Sequence, residues 1–508
     1  MQAPADSLAP KFIRIDRSQL HWGPIDVESL IESDHPARAI WSLVSRLDLS
    51  NLENSGRSVK GKAGAPRHAP QVLVSVWIYA YSQGIASARA IERMMSYEPG
   101  LRWLCGDEAV NHHTLSDIRV GNGDRLRELF TQVLGVMAEE DLLDLTTLMQ
   151  DGTKMQAVAS KNSFRRRATL EQHMESARVA VEKLEQQSAN QQEQEAEDQK
   201  RTRRKQQQAE QRVDRMKRAL EQLAERESNV RPSGRDQLRV SESEPDARVM
   251  LQTNGGWEPS YNVQMTTEAK SKLMLNVDVV QAVNDLGQLL PAIEQAREQC
   301  QQLQPSAAIL PERMVADGGY TSRQNVEAAA EQKVQLISPW KEDRSRSRGA
   351  QTRNDIDPEF AAVKFTEVDG EHALQCPAGR RLVPIGEGRH HNLPIQIYES
   401  KAGDCSGCEH RQRCLRPGQS TRRIERVVES ETMKRYLALQ QEPSTKELYK
   451  RRKAVAEFPQ LHFKGRWNIR SFIVRGLEKV RKEVIWIAMA YNVTRWMFLR
   501  GKAVEQAA

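Results

Sequence analysis

From Asn162 to Asn229 the chain contains neither proline nor glycine and consists mostly of Gln, Glu, Lys and Arg. Nothing in such a segment breaks a helix and little in it would fill a sheet, so it must form long helix. Leu170, Met174, Ala177, Val181 and Leu184 recur at heptad spacing, as do Ala209, Val213, Met216, Leu220 and Leu223. The two runs are out of register, and Gln186 to Gln208 between them carries almost no apolar side chain. Either an antiparallel helical hairpin with a polar tip or one long helix with a partner satisfies both runs. Charge-rich helices of this kind are usually solvated, so the segment reads as a coiled-coil arm rather than a dedicated binding element.

The rest of the 508 residues must fold around that arm, and the length calls for more than one unit. Before it, Arg14 to about Leu143 is helical in pattern, with apolar spacing of three and four over Ser29–Leu49, Pro70–Ser82, Ser87–Tyr97 and Asp124–Glu140. The stretch AVNHHTLSDIR predicts a short helix capped by Asn111 or Thr114 and ending at Arg119. That helix could be the reading helix of a helix-turn-helix, or part of an ordinary bundle. Next, Leu145 to Met149 leads as a strand into Gln150-Asp151-Gly152-Thr153-Lys154. After the arm and a loop over Val230–Asp246, Tyr261–Thr267 and Leu273–Val280 predict a hairpin, and Asp285–Gln302 a helix with Pro291 near its start. Met314–Ala316, Ser322–Gln332 and Val334–Ser338 then predict strand, helix and strand. This order is an α/β layered domain.

Three acids are singled out by position: Asp151 on the first strand, Asp317 directly after the strand Met314–Ala316, and Glu457 on a basic helix starting near Lys446. Hard divalent cations take oxygen ligands, and a pair of them can serve both the attacking and the leaving oxygen of a phosphodiester. Cys376, Cys405, Cys408 and Cys414 form a second constellation, C-x28-C-x2-C-x5-C. Four thiolates can close a tetrahedral Zn²⁺ site, and His410 is an alternative ligand. Cys105 and Cys300 fall in apolar helical contexts and read as core residues. Trp257 and Trp467 could stack on a base but are read as packing residues.

QDGTKM, VADGGYTS and YKRRKAVAEFPQLHFK, in this order and on these elements, resemble the motifs of bacterial insertion-sequence transposases of the DDE type. That family places two residues between Tyr and Arg, three between Arg and Glu, and six between Glu and Lys. Here two, four and six residues separate Tyr449, Arg452, Glu457 and Lys464, which leaves the basic position to Arg452 or Lys453. GKAGAPRHAPQVLVSVWIYAYSQGIASARAIERM and RGLEKVRKEVIWIAMAYNVTRW resemble the N-terminal domain and C-terminal helix of the same group.

The resemblance implies an α/β catalytic core of RNase H-like type, with an N-terminal all-α domain, the helical coiled-coil arm and a small zinc-ribbon-like insertion. The expected division is a helical DNA-binding domain over 1–141, the core over 142–161 and 230–340, the arm over 162–229, a Cys-rich insertion over 341–445, and basic helices over 446–508 that complete the core. It further implies that Asp151, Asp317 and Glu457 hold two Mg²⁺ (or Mn²⁺) ions, and that the enzyme cleaves DNA at element ends and transfers the 3′-OH to target DNA. Expected DNA contacts are Tyr449, Arg452, Lys453 and Lys464, with His113 and Arg119 from the N-terminal helix. The partners are double-stranded DNA, as terminal inverted repeats and target, and a second copy of the chain. A catalytically inactive DNA-binding protein of the same fold and a nuclease without strand transfer are the alternatives.

Net charge is +7, but Arg422–Lys482 alone holds 17 Lys and Arg against 7 Asp and Glu, beside the proposed site. The longest apolar run, Val484–Val493, is too short for a membrane span. With six cysteines in so long a chain, the expectation is a cytoplasmic protein without a membrane partner, associated with the nucleoid when on DNA.

Overall fold

The computed structural model describes residues 24–53, 67–121, 123–189, 196–305, 311–340, 356–368, 372–390 and 393–507. The basic stretch Arg57–Pro66 and the tip of the arm at 190–195 lie outside these residues. The chain is mixed α/β, and its central sheet has six strands: β1 (Thr147–Gln156), β4 (Arg248–Leu251), β5 (Trp257–Glu268), β6 (Met274–Val280), β7 (Arg313–Ala316) and β8 (Gln335–Ile337). A two-residue ribbon, β2 (Phe164–Arg165) with β3 (Val240–Ser241), ties the two ends of the arm together. In the sheet β1 pairs antiparallel with β5 and parallel with β7, β7 is parallel to β8, and β4 and β6 pair with successive halves of β5. The mixed sheet fits an RNase H-like core.

Side chains alternate across a strand, so one parity of each strand faces each layer. Leu148 of β1, Met314 and Ala316 of β7 and Leu336 of β8 belong to the large core shared with the N-terminal helices and the C-terminal helix Leu477–Ala507. Met149, Val315 and Ile337 face the other way, into a smaller core closed by Val455 and Ala456 of the helix Pro443–Ala456. With both faces covered, Leu148–Met149, Met314–Ala316 and Leu336–Ile337 are apolar at successive positions. The free edge of β6 is met by a side chain: the Asn492 amide donates to the Met274 carbonyl and accepts from its N–H, both at 2.8 Å.

The arm is the antiparallel hairpin of the two alternatives. Its helices are Arg167–Ala189 and Ala196–Ser228. Arg167 pairs with Glu227 at 2.6 Å, and Leu170, Met216, Ala219, Leu223 and Val240 form its buried seam.

Some expectations need correction. The helix expected over Ser29–Leu49 is a 3₁₀ turn at Glu28–Leu30 followed by Pro36–Val44, because the His35 side chain caps a new start at Pro36. A helix at Pro99–Cys105 and the strand β4 had no clear periodicity, being short. The helix carrying the basic motif begins at Pro443, so the boundary at 446 falls inside it.

The largest difference lies in 341–445, where a second sheet pairs β9 (Thr366–Glu367), β10 (Leu374–Gln375), β11 (Arg381–His390), β12 (Leu393–Ser400) and β13 (Arg423–Val427) in reverse order, all antiparallel. Its alternation is invisible in sequence because Leu382 is the one buried residue of β11, while Val383 and Ile385 are exposed. Among the described residues no helix is long and apolar enough to cross a membrane.

The N-terminal helices dock on the C-terminal helix through a cluster of buried polar groups. Glu483 is fully buried and faces Arg119 and Tyr81. Burial pushes its carboxyl up to about 7, against the pull of Arg119. A carboxyl raised on folding supports the native state fully below its unfolded pKa, near 4.5, and that support is lost as pH rises through about 7. Across that window the shift corresponds to about 3 kcal/mol. Glu483→Gln is therefore expected to flatten the decline of Tm between pH 5 and pH 8; an unchanged slope would show that the carboxyl does not titrate there.

Candidate active site

Backbone pairing alone brings the first two acids together. Parallel register sets Gln150 opposite Ala316, so the next residues, Asp151 and Asp317, lie side by side where β7 ends. By strand parity both share the face of Met149 and Val315, the face covered by the helix Pro443–Ala456. That helix ends at Glu457, its C-cap, because Pro459 follows. Glu457 thus stands at the junction with a short helical turn, Phe458–Gln460, of which it is the N-cap. A π-helical turn at Leu461–Arg466 follows and carries Lys464.

The guanidinium of Arg452 lies between the acids, 3.6 Å from an Asp151 oxygen and 3.6 Å from a Glu457 oxygen. These are ion-pair distances without hydrogen bonds, and its Nη1 is buried with no hydrogen-bond partner. Burial pushes the Asp151 carboxyl up to about 6; Arg452 pulls it down, while Asp317 and Glu457 push it further up. Gln460 donates to the second Asp151 oxygen at 2.8 Å. Lys464 turns toward β1, donating to the Thr153 hydroxyl at 2.5 Å and the Lys154 carbonyl at 2.7 Å. Burial brings the Lys464 ammonium down to about 8, with Asp151 opposing. Asp317 is held by the Gly319 N–H, which donates to its Oδ1 at 2.6 Å.

Beneath the acids is a buried polar floor. Gln264 accepts from Tyr320 at 2.6 Å and from Gln150 at 2.9 Å, and donates to Asp285 at 2.8 Å. Asn262 donates to the same Asp285 oxygen at 2.8 Å, and Thr266 donates to Gln150 at 2.7 Å. This network fixes side chains that would be costly to leave unpaired, and only the Asn262 Oδ1 among the named groups is buried without a partner. Gly152 is required by this packing, since a Cβ there would come within 2.6 Å of both Asp285 Oδ1 and Gln264 Nε2.

The other expected contacts are dispersed. Tyr449 packs half-buried against the small core, and Lys453 is exposed on the same helix. His113 is exposed on the helix His112–Val120, its ring 4.2 Å from that of His112. Arg119 is not on a DNA-facing surface: it is 7% exposed, lies over Trp77 and donates to the Ala86 carbonyl. The last turn of its helix is buried against Trp486 and Lys482, a packing invisible from the helix's own polar sequence. Trp467 is buried, whereas Trp257 is exposed at the start of β5. Cys300 is buried and Cys105 partly so, and burial pushes each thiol up to about 12. Sequence reading missed Gln460, Gln264 and Asp285; the placement of Gln460 three residues after Glu457 was the one available signal.

The four clustered cysteines line one small cavity beside Phe360, Phe365 and Leu382. Cys376 sits in the turn between β10 and β11, where the Arg380 N–H donates to its sulfur at 3.2 Å and Gly379 takes φ +79°. Cys405 and Cys414 follow β12 in two short helical turns, with Cys408 in the link between them. The Cys414 thiol is pushed up by burial, pulled down by Arg422, and pushed up further by the other three cysteines. His410 stacks near Phe360 instead. Among the described residues no three His, Cys, Asp or Glu are grouped closely enough to hold a metal ion as they stand.

Two family models match the chain, a transposase domain of the DUF772 type over residues 25–120 and a transposase DDE domain over 375–497. No curated protein matches. Among solved structures, a piggyBac transposase synaptic complex with hairpin DNA matches at 8% identity over 93% of this chain and 75% of that one. Its TM-score of 0.32 is too low to establish a common fold.

Gly152→Ala is expected to destabilise the protein by about 1–3 kcal/mol, the usual cost of forcing atoms into a packed site. A chemical-denaturation curve that overlays the wild type would show that the floor yields without cost.

Proposed function

Because the chain belongs to the insertion-sequence transposases of the DDE type, we propose that Asp151, Asp317 and Glu457 are its catalytic acids, acting on double-stranded DNA. The observation that carries this reading is that strand register and parity bring two carboxylates to one face, and a third meets them across Arg452. An all-carboxylate donor set, partly buried and mutually repelling, has the chemistry of a site for hard divalent cations. Mg²⁺ or Mn²⁺ held there, two ions in the full reading, would activate an attacking oxygen and stabilise the leaving oxygen of a phosphodiester.

The residues around the acids have distinct parts in this reading. Gln460 and the Gly152 N–H orient the Asp151 carboxylate by hydrogen bonds to its two oxygens. Arg452 balances part of the charge of Asp151 and Glu457. Lys453, exposed one position further on, can reach a phosphate, and Lys464 keeps the end of the basic helix against β1. The reaction is hydrolysis of one phosphodiester at each element end, followed by attack of the freed 3′-OH on target DNA, with two copies of the chain joining the ends. Residues 1–141 are read as the domain that recognises the terminal repeats, with His113 on its exposed face.

The Cys-rich insertion is read as a zinc-stabilised module. Its own apolar core is Phe365, Leu374, Leu382 and Ile424, too small to hold a five-stranded sheet unaided. Turns that aim a backbone N–H at a sulfur, as Arg380 does at Cys376, suit a thiolate bound to a metal.

The acids are tested on linear DNA bearing the element's flanking repeats, with Mg²⁺ or Mn²⁺. Asp151→Asn, Asp317→Asn and Glu457→Gln are each expected to lower strand cleavage by more than about 100-fold. Equal cleavage by all three would overturn the assignment; cleavage without joined products would mark a nuclease, and DNA binding without cleavage by the wild type an inactive relative. For the insertion, elemental analysis is expected to find one zinc per chain, lost in the double variant Cys405→Ser/Cys408→Ser. A metal-free wild type would sink the zinc reading.

A further inference from the structure

The second arm helix, Ala196–Ser228, is asymmetric in charge. Between Arg201 and Arg218 it carries eight Lys and Arg against two acids, Glu210 and Asp214. At 100° per residue, Arg201, Arg204, Lys205, Arg212 and Arg215 fall on one stripe beside the buried seam, while Glu210 and Asp214 point away. The stripe runs for about 21 Å at 1.5 Å per residue. Arg201, Arg204, Lys205 and Arg212 are exposed, and among the described residues they have no acidic partner. A helix stabilised only by its seam has no need of such a stripe; like charges at these spacings repel along the helix.

The stripe also continues into the active site. After Lys464, the chain passes alongside the end of β1, where the Gln156 N–H donates to the Arg470 carbonyl at 3.2 Å and the Phe472 N–H to the Gln156 carbonyl at 2.9 Å. It then reaches the foot of the arm, where the Leu477 N–H donates to Asp246 at 3.0 Å and the Gly476 N–H to Glu244 at 3.3 Å. Arg466, Arg470 and Arg475 are exposed along this connection. Arg475 in turn adds its charge to the cluster of Arg215, Arg212 and Arg218. A cationic track therefore leads from the acids, along 464–477, and out along the arm.

We propose that this track binds the phosphate backbone of duplex DNA extending away from the scissile phosphate, with the arm as a sequence-independent clamp. This inference rests on the transposase reading for its choice of polyanion: a surface continuous with a phosphodiester-cleaving site is met by the same molecule. Contacts of this type act through counterion release, each phosphate neutralised adding about 0.9 to the slope of log affinity against log salt. The arm thus sets affinity, not sequence preference.

The test uses the full-length protein and fluorescence anisotropy with labelled duplexes of unrelated sequence, one of about 30 base pairs and one of about 10, a single helical turn. The variant Arg201→Gln/Arg204→Gln/Lys205→Gln/Arg212→Gln changes only exposed side chains, and circular dichroism checks that its melting is unchanged. For the long duplex the variant's salt slope is expected to be shallower by about three to four, with no dependence on sequence. For the short duplex the two proteins are expected to differ by less than about one in slope. Identical slopes on the long duplex, with tight wild-type binding, would overturn the arm's role and leave the function reading intact. Absence of duplex binding by the wild type would overturn both. Wild-type-like DNA binding with lost self-association in sedimentation would assign the stripe to a second copy of the chain, also overturning the proposal.

Discussion

The parallel pairing of β1 with β7 is the constraint on which the rest of this structure depends. Four residue pairs, Thr147 with Arg313 through Gln150 with Ala316, determine which positions lie opposite one another. Because side chains alternate with a period of two, that register also decides the layer each residue meets. A slip of β1 by one residue would send Met149 and Asp151 to the large core, away from Val315 and Asp317, and the helix Pro443–Ala456 would lose part of the apolar surface it covers. The strong burial on both faces, with Leu148, Met149, Met314 and Val315 fully enclosed, opposes such a slip.

The same packing creates an electrostatic conflict and contains it. Three carboxylates converge where burial disfavours charge, as the raised Asp151 shows. Arg452 relieves the conflict without closing it, since it lies at ion-pair distance from two acids and makes hydrogen bonds to neither. The floor of Gln150, Gln264, Tyr320 and Asp285 is joined by hydrogen bonds below.

Local features of the chain were more legible than contacts across it. The hairpin β5–β6, the helices at Pro70–Ser82 and Gly123–Glu139 and both heptad runs follow periodicities that a linear reading can count. The acids stood out by their place in short motifs. Gln264 and Asp285 had no such signal, because each matters only through a partner on another strand or loop. Arg119 misled for the opposite reason: a polar residue on a polar helix looks exposed until a tryptophan from the other end of the chain covers it. The second sheet escaped notice because a module with so few buried residues leaves little alternation to read.

By itself the sequence determined the inventory: a proline- and glycine-free arm, three acids on or beside regular elements, four clustered cysteines, and a basic segment from Arg422 to Lys482. These follow from composition and spacing, which local propensity and periodicity translate directly. Only the tertiary structure decided that the arm doubles back on itself, that Asp151 and Asp317 share a face, that Glu457 ends its helix across Arg452 from them, and that the arm's cations join those beside the acids. Each of these depends on register or on packing between distant segments, where the energies come from surfaces buried together and not from any one stretch of chain.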